Sequence, residues 1–509
     1  MNAHSRTHNS SRNFIMEIAQ KFISIILTFV GRQIFLQVLS VEYLGIRGLF
    51  GDVLGMLTLA DLGLATAMAF TFFKPLAEKD ENKLAALIQF YRKVCNVIAA
   101  IIAIVGVALT PFLRYIINIE TDIPNIEVYY LITLANTVIS YLFVYKATII
   151  TADQNARIIT KYQMWTSVIK LTLQIVVLLI VGSYLVYCLV ALSSTFATNL
   201  LISRKANKLY PFIKRKVKLA ALEKQIVFKN IKSMAVFKIA DVFIRGTDSI
   251  LISVFVTTAI VGKYSNYVLA VSSLRHIAYV TFISLSASIG NLLAQETPEK
   301  RLRVFRLMQT VSYWVSGFFV FCLFFLLDDF VTLWLGPEFV FDIFTKLAVL
   351  LSFYLAIVMF PIYAFREATG MYQKTKYVMV ATAVLKNVLA ILLGIRFGLV
   401  GIIMASFFAK SLTYVWYETK ILFRDFLQSR ASSYLLGHLL NLCMLSGCIA
   451  LIHFFFPLQP SANFFQWLVR GIVYTTVINI IYVIRHFNTD EFRYFASKAK
   501  EVVKKIKRG

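Results

Sequence analysis

The sequence is divided into apolar blocks of about 20 residues, and this pattern constrains the fold more than any other feature. A helix of about 20 residues crosses the roughly 30 Å hydrocarbon core of a membrane. Of the 509 residues, 59% are hydrophobic and 15% are charged. A soluble protein carries charge on about a quarter of its residues. The alternating ten-residue pattern of a membrane β-barrel does not occur. The blocks therefore predict an all-α polytopic membrane protein.

The number and spacing of the blocks predict about 14 transmembrane helices in two lobes of six helices, followed by two C-terminal helices. The predicted segments are a first lobe, a basic linker, a second lobe, a C-terminal helix pair and a basic tail, at 1–203, 204–230, 231–422, 435–486 and 487–509.

The formal net charge of +26 does not indicate a nucleic-acid-binding protein, because the basic residues alternate with the apolar blocks. Lys and Arg concentrate in every second loop, in the linker and in the tail, whereas the other loops are short and often acidic. Basic loops remain on the cytoplasmic side of a membrane. Both termini are therefore expected to be cytoplasmic, and the linker and tail are expected to contact anionic membrane lipids.

The two halves of the chain contain a repeat. Gly45 and Gly262 are separated by 217 positions, and Lys83 and Lys300 share this offset. Further along, the segments Thr166–Lys170 and Thr382–Lys386 match at an offset of 216, as do Gly182 and Gly398. Six predicted helices separate the copies, so both have the same orientation. A parallel repeat predicts two lobes related by an axis along the membrane normal, with a substrate between them.

Four ionisable residues form a ladder in the apolar run 231–256. Lys238, Asp241, Arg245 and Asp248 would share one face of a continuous helix. Ionisable groups at membrane depth usually line a hydrated cavity or pair with each other. The two cations predict a binding strip for a diphosphate, because Arg binds phosphate oxygens in a bidentate manner. Asp241 and Asp248 would pair with these cations or hold a coupling ion. The alternative is an internally paired strip that only packs helices.

Other ionisable residues in apolar blocks are candidates for the same cavity. Lys170 and Lys386 occupy matched positions of the repeat, where they could converge on a diphosphate or extend to the membrane interface. Arg32 and Arg275 are costly at membrane depth unless they face water or a carboxylate. Asp61 is a candidate for coupling to Na⁺ or H⁺, or for pairing with a basic residue.

Small residues suggest close helix packing, above all the pair Gly51 and Gly55. No phosphate-binding Gly-Lys-Ser/Thr loop occurs, and no His, Cys and carboxylate cluster suggests a metal. The outer loops are too short for an enzyme that acts outside the membrane. We therefore expect a transporter without a catalytic residue, cofactor or metal, driven by the membrane potential or an ion gradient.

Several segments resemble the polysaccharide-type oligosaccharide flippases of the multidrug/oligosaccharidyl-lipid/polysaccharide exporter superfamily. In the first half the similar segments are Glu42–Phe50, Leu57–Leu64, Lys74–Ala77 and Tyr91–Lys93, and in the second half Val261–Tyr267 and Ser288–Ala294. The resemblance covers essentially the whole chain. The family often has Glu where Asp61 stands.

The resemblance implies translocation of undecaprenyl-diphosphate-linked oligosaccharide across the bacterial cytoplasmic membrane by alternating access, for cell-surface polysaccharide biosynthesis. Polysaccharide polymerase machinery is a further implied partner. Two functions within the same superfamily remain as alternatives, a multidrug cation antiporter and a peptidoglycan-precursor flippase. The excess of basic over acidic residues in apolar blocks speaks against the antiporter.

Overall fold

The computed structural model describes residues 23–58, 64–119, 123–215, 217–220, 224–225, 236–455 and 460–497. In this part of the chain the regular structure is helical, and no β-strand occurs. The chain divides into two compact units, Met1–Ser265 and Asn266–Gly509.

Apart from the single turn Leu113–Ile116 and short 3₁₀ segments, the described residues of the first unit form nine helices and the start of a tenth. They are α1 (Ile23–Val38), α2 (Val41–Leu57), α3 (Leu64–Ala77), α4 (Glu81–Leu109), α5 (Ile126–Ala152), α6 (Ala156–Val181), α7 (Tyr184–Leu209), α8 (236–245), α9 (Asp248–Phe255) and the first turns of α10 (Thr258–Ile283). Its buried core is rich in aromatic and branched side chains, including Phe50, Ile88, Tyr91 and Tyr130.

The second unit continues from α10. Its other described helices are α11 (Ser286–Gln295), α12 (Pro298–Leu335), α13 (Ile343–Val358), α14 (Phe360–Thr369), α15 (Tyr372–Leu412), α16 (Tyr414–Asp425), α17 (Ser432–Phe455), α18 (Phe464–His486) and α19 (490–497). Phe305 packs edge-to-face against Phe365 and Phe423 and at a tilt against Tyr434 within its core.

Within the described residues, nine helices are long and apolar enough to cross a membrane, or ten when α13 and α14 count as one bent span. The stretch Lys374–Leu427 counts once in that number, although Gly398 interrupts its helical geometry. Large apolar side chains such as Ile180 and Phe465 remain exposed on the outer faces of these helices. Lipid tails, rather than water, suit such faces.

Helix boundaries follow the sequence repeat closely. Helices α4 and α12 begin 217 positions apart, and α5 spans the same positions as α13 and α14 together at this offset. Helix α6 ends before Gly182, and α15 loses helical geometry at Gly398, 216 positions later. Both glycines have positive φ angles, which glycine adopts without a steric penalty. The predicted parallel repeat is therefore present in the fold.

The copies differ where proline enters the second one. Helix α5 is continuous, but its counterpart breaks at Met359 and bends by 40° between α13 and α14. Pro361 lies in the first turn of α14, where its missing N–H costs no helical hydrogen bond. The equivalent residue of α5 is Val144, which continues the helix.

Two glycines related by the repeat allow α2 and α10 to approach closely. A methyl group at Gly45 would overlap the backbone carbonyl oxygen of Thr258, and one at Gly262 would overlap that of Val41. The contact is reciprocal, because Val41 and Thr258 are also 217 positions apart. In contrast, a Cβ at Gly51 or Gly55 would meet no described atom within 4 Å. The expectation of close packing at that pair was therefore wrong.

We expect Gly45→Ala to lower the stability of the protein by about 1–3 kcal/mol, because the methyl group forces two backbones apart. Gly51→Ala is the matched control on the same helix. It fills open space and replaces glycine by a stronger helix former, so its stability should be unchanged or higher by up to about 1 kcal/mol. Thermal unfolding of both variants in the same detergent measures the difference. Equal transition temperatures would contradict the close contact.

Candidate functional site

Four helix ends of the first unit surround a cavity of about 50 Å³. On α1 the lining residues Thr28, Gly31, Arg32 and Phe35 share one helix face. On α6 the lining positions 171, 174, 175 and 178 follow the same spacing. Arg47 of α2 and Tyr187 of α7 complete the lining. The cavity is therefore built near the end of the unit where α1 and α6 finish and α2 and α7 begin.

Arg47 is held by aromatic side chains. Its Nη1 donates a hydrogen bond of 2.7 Å to the hydroxyl of Tyr187, and its guanidinium carbon lies 5.5 Å from the centre of that ring. Phe35 packs edge-to-face on Tyr187 at 5.2 Å, and Gln174 Nε2 donates to the Tyr187 carbonyl oxygen. Many protein atoms lie around the guanidinium group of Arg47, but the residue keeps solvent-accessible surface. Its donors are thus fixed in position and available to a bound molecule.

Two further cations accompany Arg47. The Nη1 atom of Arg32 donates a hydrogen bond of 2.9 Å to Ser265 Oγ, and its charge acts on that of Arg47 across the cavity. Lys170, just past the middle of α6, does not line the cavity, but its charge lies close enough to interact with that of Arg47. Like charges repel, so water or a bound anion near Arg47 would stabilise this group of three cations.

These three cations, which we call the cavity cluster, have no carboxylate partner in the described residues. Two cations of the second unit, the buried Lys346 and the half-buried Arg470, behave differently. Lys346 pairs with Asp328 at 2.6 Å, and Arg470 pairs with Asp329 at 3.2 Å. A cation buried without a counter-charge carries a large desolvation cost. These two cations are compensated within the protein, whereas the cavity cluster is suited to an anion from outside.

The buried pair of Arg366 and Glu418 shows this contrast at matched positions of the repeat. Arg366 Nη1 donates to both carboxylate oxygens of Glu418, at 3.0 and 3.2 Å, and Glu418 is fully buried. The equivalent positions of the first unit are Ile149 and Ile202, which are also buried. The fold thus accepts either an ion pair or two isoleucines at this place.

The predicted ladder of the apolar run 231–256 lies on two helices. Helix α8 ends at Arg245, residues Gly246 and Thr247 form a bend, and Asp248 begins α9. Arg245 pairs with Asp241 at 2.8 Å, and its side chain is 73% exposed. Lys238 is exposed as well. None of these four residues lines the cavity described above. The assumption of one continuous helix face was wrong, because glycine weakens the helix at Gly246.

Three other predicted residues lie elsewhere. Arg275, on α10, is exposed in the second unit. Lys386, on α15, is fully buried in the same unit and has an interaction partner. Asp61 falls outside the described residues, so its predicted coupling role stays a prediction. Of the predicted cations, Arg32 lines the cavity and Lys170 does not, and the charges of both interact with that of Arg47.

Arg47 was missed by the sequence analysis, although it lies in the segment Glu42–Phe50 that carries the family resemblance. The available signal was its position two residues after Gly45, which is a landmark of the repeat.

Solved structures with the same fold are transporters and a flippase. One, titled "Lipid II flippase MurJ, inward closed conformation", matches with a TM-score of 0.66 and 15% identity over 93% of this chain and 99% of that chain. An inward-facing multidrug resistance MATE family transporter of the MOP superfamily matches with a TM-score of 0.59 and 14% identity over 80% of this chain and 98% of that chain. No protein-family model and no curated protein matches the chain significantly.

The fold class is that of these membrane transporters. The prediction of an all-α polytopic membrane protein with about 14 transmembrane helices and two repeated lobes is confirmed. The neighbours are transporters and a flippase rather than enzymes, which agrees at this general level with the predicted absence of catalysis. With 15% identity or less, the likeness extends to the fold and not to the substrate.

We expect Arg47→Gln to weaken binding of pyrophosphate to the purified protein by about tenfold or more, because a hydrogen bond to a charged group contributes about 1.5–3 kcal/mol. Isothermal titration calorimetry in detergent measures this affinity. Arg114→Gln is the matched control, since Arg114 is an exposed arginine of the same unit that contacts Tyr115. Equal losses in both variants, or none in Arg47→Gln, would contradict an anion site at the cavity cluster.

Removing Glu418 alone should destabilise the protein by about 3–5 kcal/mol, because Arg366 then remains buried without its counter-charge. The double variant Arg366→Ile/Glu418→Ile copies the matched pair of the first unit. It should be close to wild-type stability or above it. Thermal unfolding of Glu418→Ile and of the double variant gives the comparison, and a double variant less stable than Glu418→Ile would refute the interpretation.

Proposed function

We propose that this protein is a flippase that moves lipid-linked oligosaccharide repeat units, joined to undecaprenyl diphosphate, from the inner to the outer leaflet of the bacterial cytoplasmic membrane. The observation that carries the proposal is the cavity cluster: Arg32, Arg47 and Lys170 without a described carboxylate partner. A diphosphate is an anion with several acceptor oxygens, and two guanidinium groups and an ammonium group match it in charge and in donors.

The wall of the cavity supports a sugar-bearing ligand. Tyr187 presents an aromatic ring, and it stacks against Tyr184 at 6.0 Å. Thr28 and Gln174 add hydroxyl and amide groups to the lining. Such a mixture of aromatic surface and a few polar groups is typical of small-molecule sites. The cavity of about 50 Å³ holds only part of such a headgroup, so the proposed mechanism requires a wider state of the site.

The proposed mechanism is alternating access. The diphosphate headgroup enters from the cytoplasmic side while the polyprenyl chain stays in lipid, and the cations of the cavity cluster neutralise it at membrane depth. Moving one negative charge across the membrane changes its energy by about 2.3 kcal/mol for every 100 mV of membrane potential. The potential or an ion gradient supplies the driving force, and Asp61 together with the ladder acids Asp241 and Asp248 are the proposed coupling or pairing groups.

A second candidate is flipping of a peptidoglycan precursor. The match to a structure titled as a lipid II flippase favours it, with a TM-score of 0.66 over 93% of this chain. Its chemistry at the cavity cluster would be the same. A multidrug cation antiporter is less well supported, because a cationic drug would be repelled by three positive side chains.

The decisive experiment reconstitutes the full chain in liposomes and measures translocation of undecaprenyl-diphosphate-linked oligosaccharide. Arg32→Gln, Arg47→Gln and Lys170→Gln should each lower the rate by about tenfold or more, because each removes a charged contact to the headgroup. Arg114→Gln is the control and should translocate at the wild-type rate. Arg245→Ala and Lys386→Ala test the remaining sequence predictions in the same assay.

The substrate is tested in parallel arms. Translocation of lipid II, together with complementation of a strain that lacks its own lipid II flippase, would assign the protein to the second candidate. Uptake of a cationic dye with no headgroup translocation would overturn the flippase proposal. Unchanged rates in all three cavity variants would remove the cavity cluster from the mechanism.

A further inference from the structure

A second group of cations lies at the opposite end of the first unit. Arg92 is in the first half of α4, Lys146 is in the last turns of α5, and Lys214 ends the short 3₁₀ helix Pro211–Lys214. The charges of Arg92 and Lys214 both act on Lys146. Ser203, which contacts Lys146, follows Tyr187 of the cavity by 16 positions, or about 24 Å along α7. The two groups of cations are therefore separate sites.

Contacts in the surrounding structure position Lys146 and the turn that carries Lys214. Lys146 Nζ donates a hydrogen bond of 2.6 Å to the buried Ser203 Oγ. Phe212 and Ile213 are buried, and Gln89 Nε2 of α4 donates to the Ile213 carbonyl oxygen at 2.9 Å. The 3₁₀ helix Pro211–Lys214 of the basic linker is thus docked on α4, which places Lys214 within electrostatic reach of Lys146.

The acidic residues at this end of the unit have other partners. Asp153 Oδ2 accepts hydrogen bonds from Tyr210 and Asn155, and Glu81 pairs with Arg215 at 2.8 Å. Within the part of the chain that the structure describes, no carboxylate forms an ion pair with Arg92, Lys146 or Lys214. The arrangement leaves three positive groups available to an external anion.

The repeat supplies an internal control for this arrangement. The positions that correspond to Arg92 and Lys146 in the second unit are Gln309 and Tyr363, and only Arg430 keeps the charge of Lys214. The hydroxyl of Tyr363 forms a hydrogen bond of 2.6 Å with Tyr414 instead of facing a ligand. The fold therefore does not require a cation at all three of these positions. The three cations of the first unit are thus candidates for binding a ligand.

We propose that Arg92, Lys146 and Lys214 form a binding site for the phosphate group of an anionic lipid headgroup, at the end of the first unit that the basic loops predict to be cytoplasmic. Clusters of Lys and Arg at a membrane surface bind anionic headgroups, with about 1 kcal/mol from each cation. Lys146 is held by Ser203 and Lys214 lies on a docked turn, which reduces the conformational freedom lost when a phosphate binds. The site is independent of the proposed flippase function.

Native mass spectrometry of the full chain in detergent, titrated with phosphatidylglycerol, tests the proposal. Arg92→Gln, Lys146→Gln and Lys214→Gln should each weaken the tightest binding step by about fivefold. Lys208→Gln is the matched control, because Lys208 is an exposed lysine at the end of α7. It should bind like the wild type. Phosphatidylcholine should not compete for the site.

Added inorganic phosphate distinguishes the two sources of the anion. If it leaves the bound phosphatidylglycerol in place, the site binds a lipid headgroup, and full displacement at millimolar concentration would assign it to free phosphate and overturn the lipid assignment. Lys214→Gln alters only an exposed side chain on the docked turn and should not affect folding. Its lipid binding therefore tests the proposal even if Lys146→Gln disturbs folding. Binding by the three variants equal to that of Lys208→Gln would overturn the proposal.

Discussion

A positive charge inside a membrane protein must be compensated, and this constraint organises the structure. Three cations of the second unit are compensated by carboxylates, in the pairs Lys346–Asp328, Arg366–Glu418 and Arg470–Asp329. At the cavity of the first unit, Arg32 and Arg47 instead contact a serine and a tyrosine beside solvent-accessible space. Neutral partners orient a cation without cancelling its charge. The difference between the units is thus a difference in what remains for a ligand to neutralise.

The repeat makes this difference informative, because the two copies share helix boundaries almost residue by residue. Where the copies differ, the difference is not imposed by the fold. Ile149 and Ile202 stand opposite an ion pair, and Lys146 stands opposite a tyrosine that bonds to another tyrosine. A duplicated fold thus offers its own comparison between structural and functional residues.

Much of the architecture could be predicted from the sequence, because membrane helices need long apolar runs and the repeat preserves its offsets. Gly182 and Gly398 were identified as equivalent landmarks, and both end helical geometry with positive φ angles. The site was harder to predict. The ladder required an unbroken helix, and two residues, Gly246 and Thr247, were enough to interrupt it. Arg47 was missed because its role depends on Tyr187, which is 140 positions away.

The reciprocal glycines Gly45 and Gly262 have a mechanical consequence. At their contact, the place of each missing Cβ lies against a backbone carbonyl of the other helix, with the Cγ2 atoms of Thr258 and Val41 close by. A backbone atom cannot be moved aside by changing a rotamer, so the distance between α2 and α10 is set by the main chain at this point. Any tilting of one helix against the other must therefore pivot here or separate the two backbones.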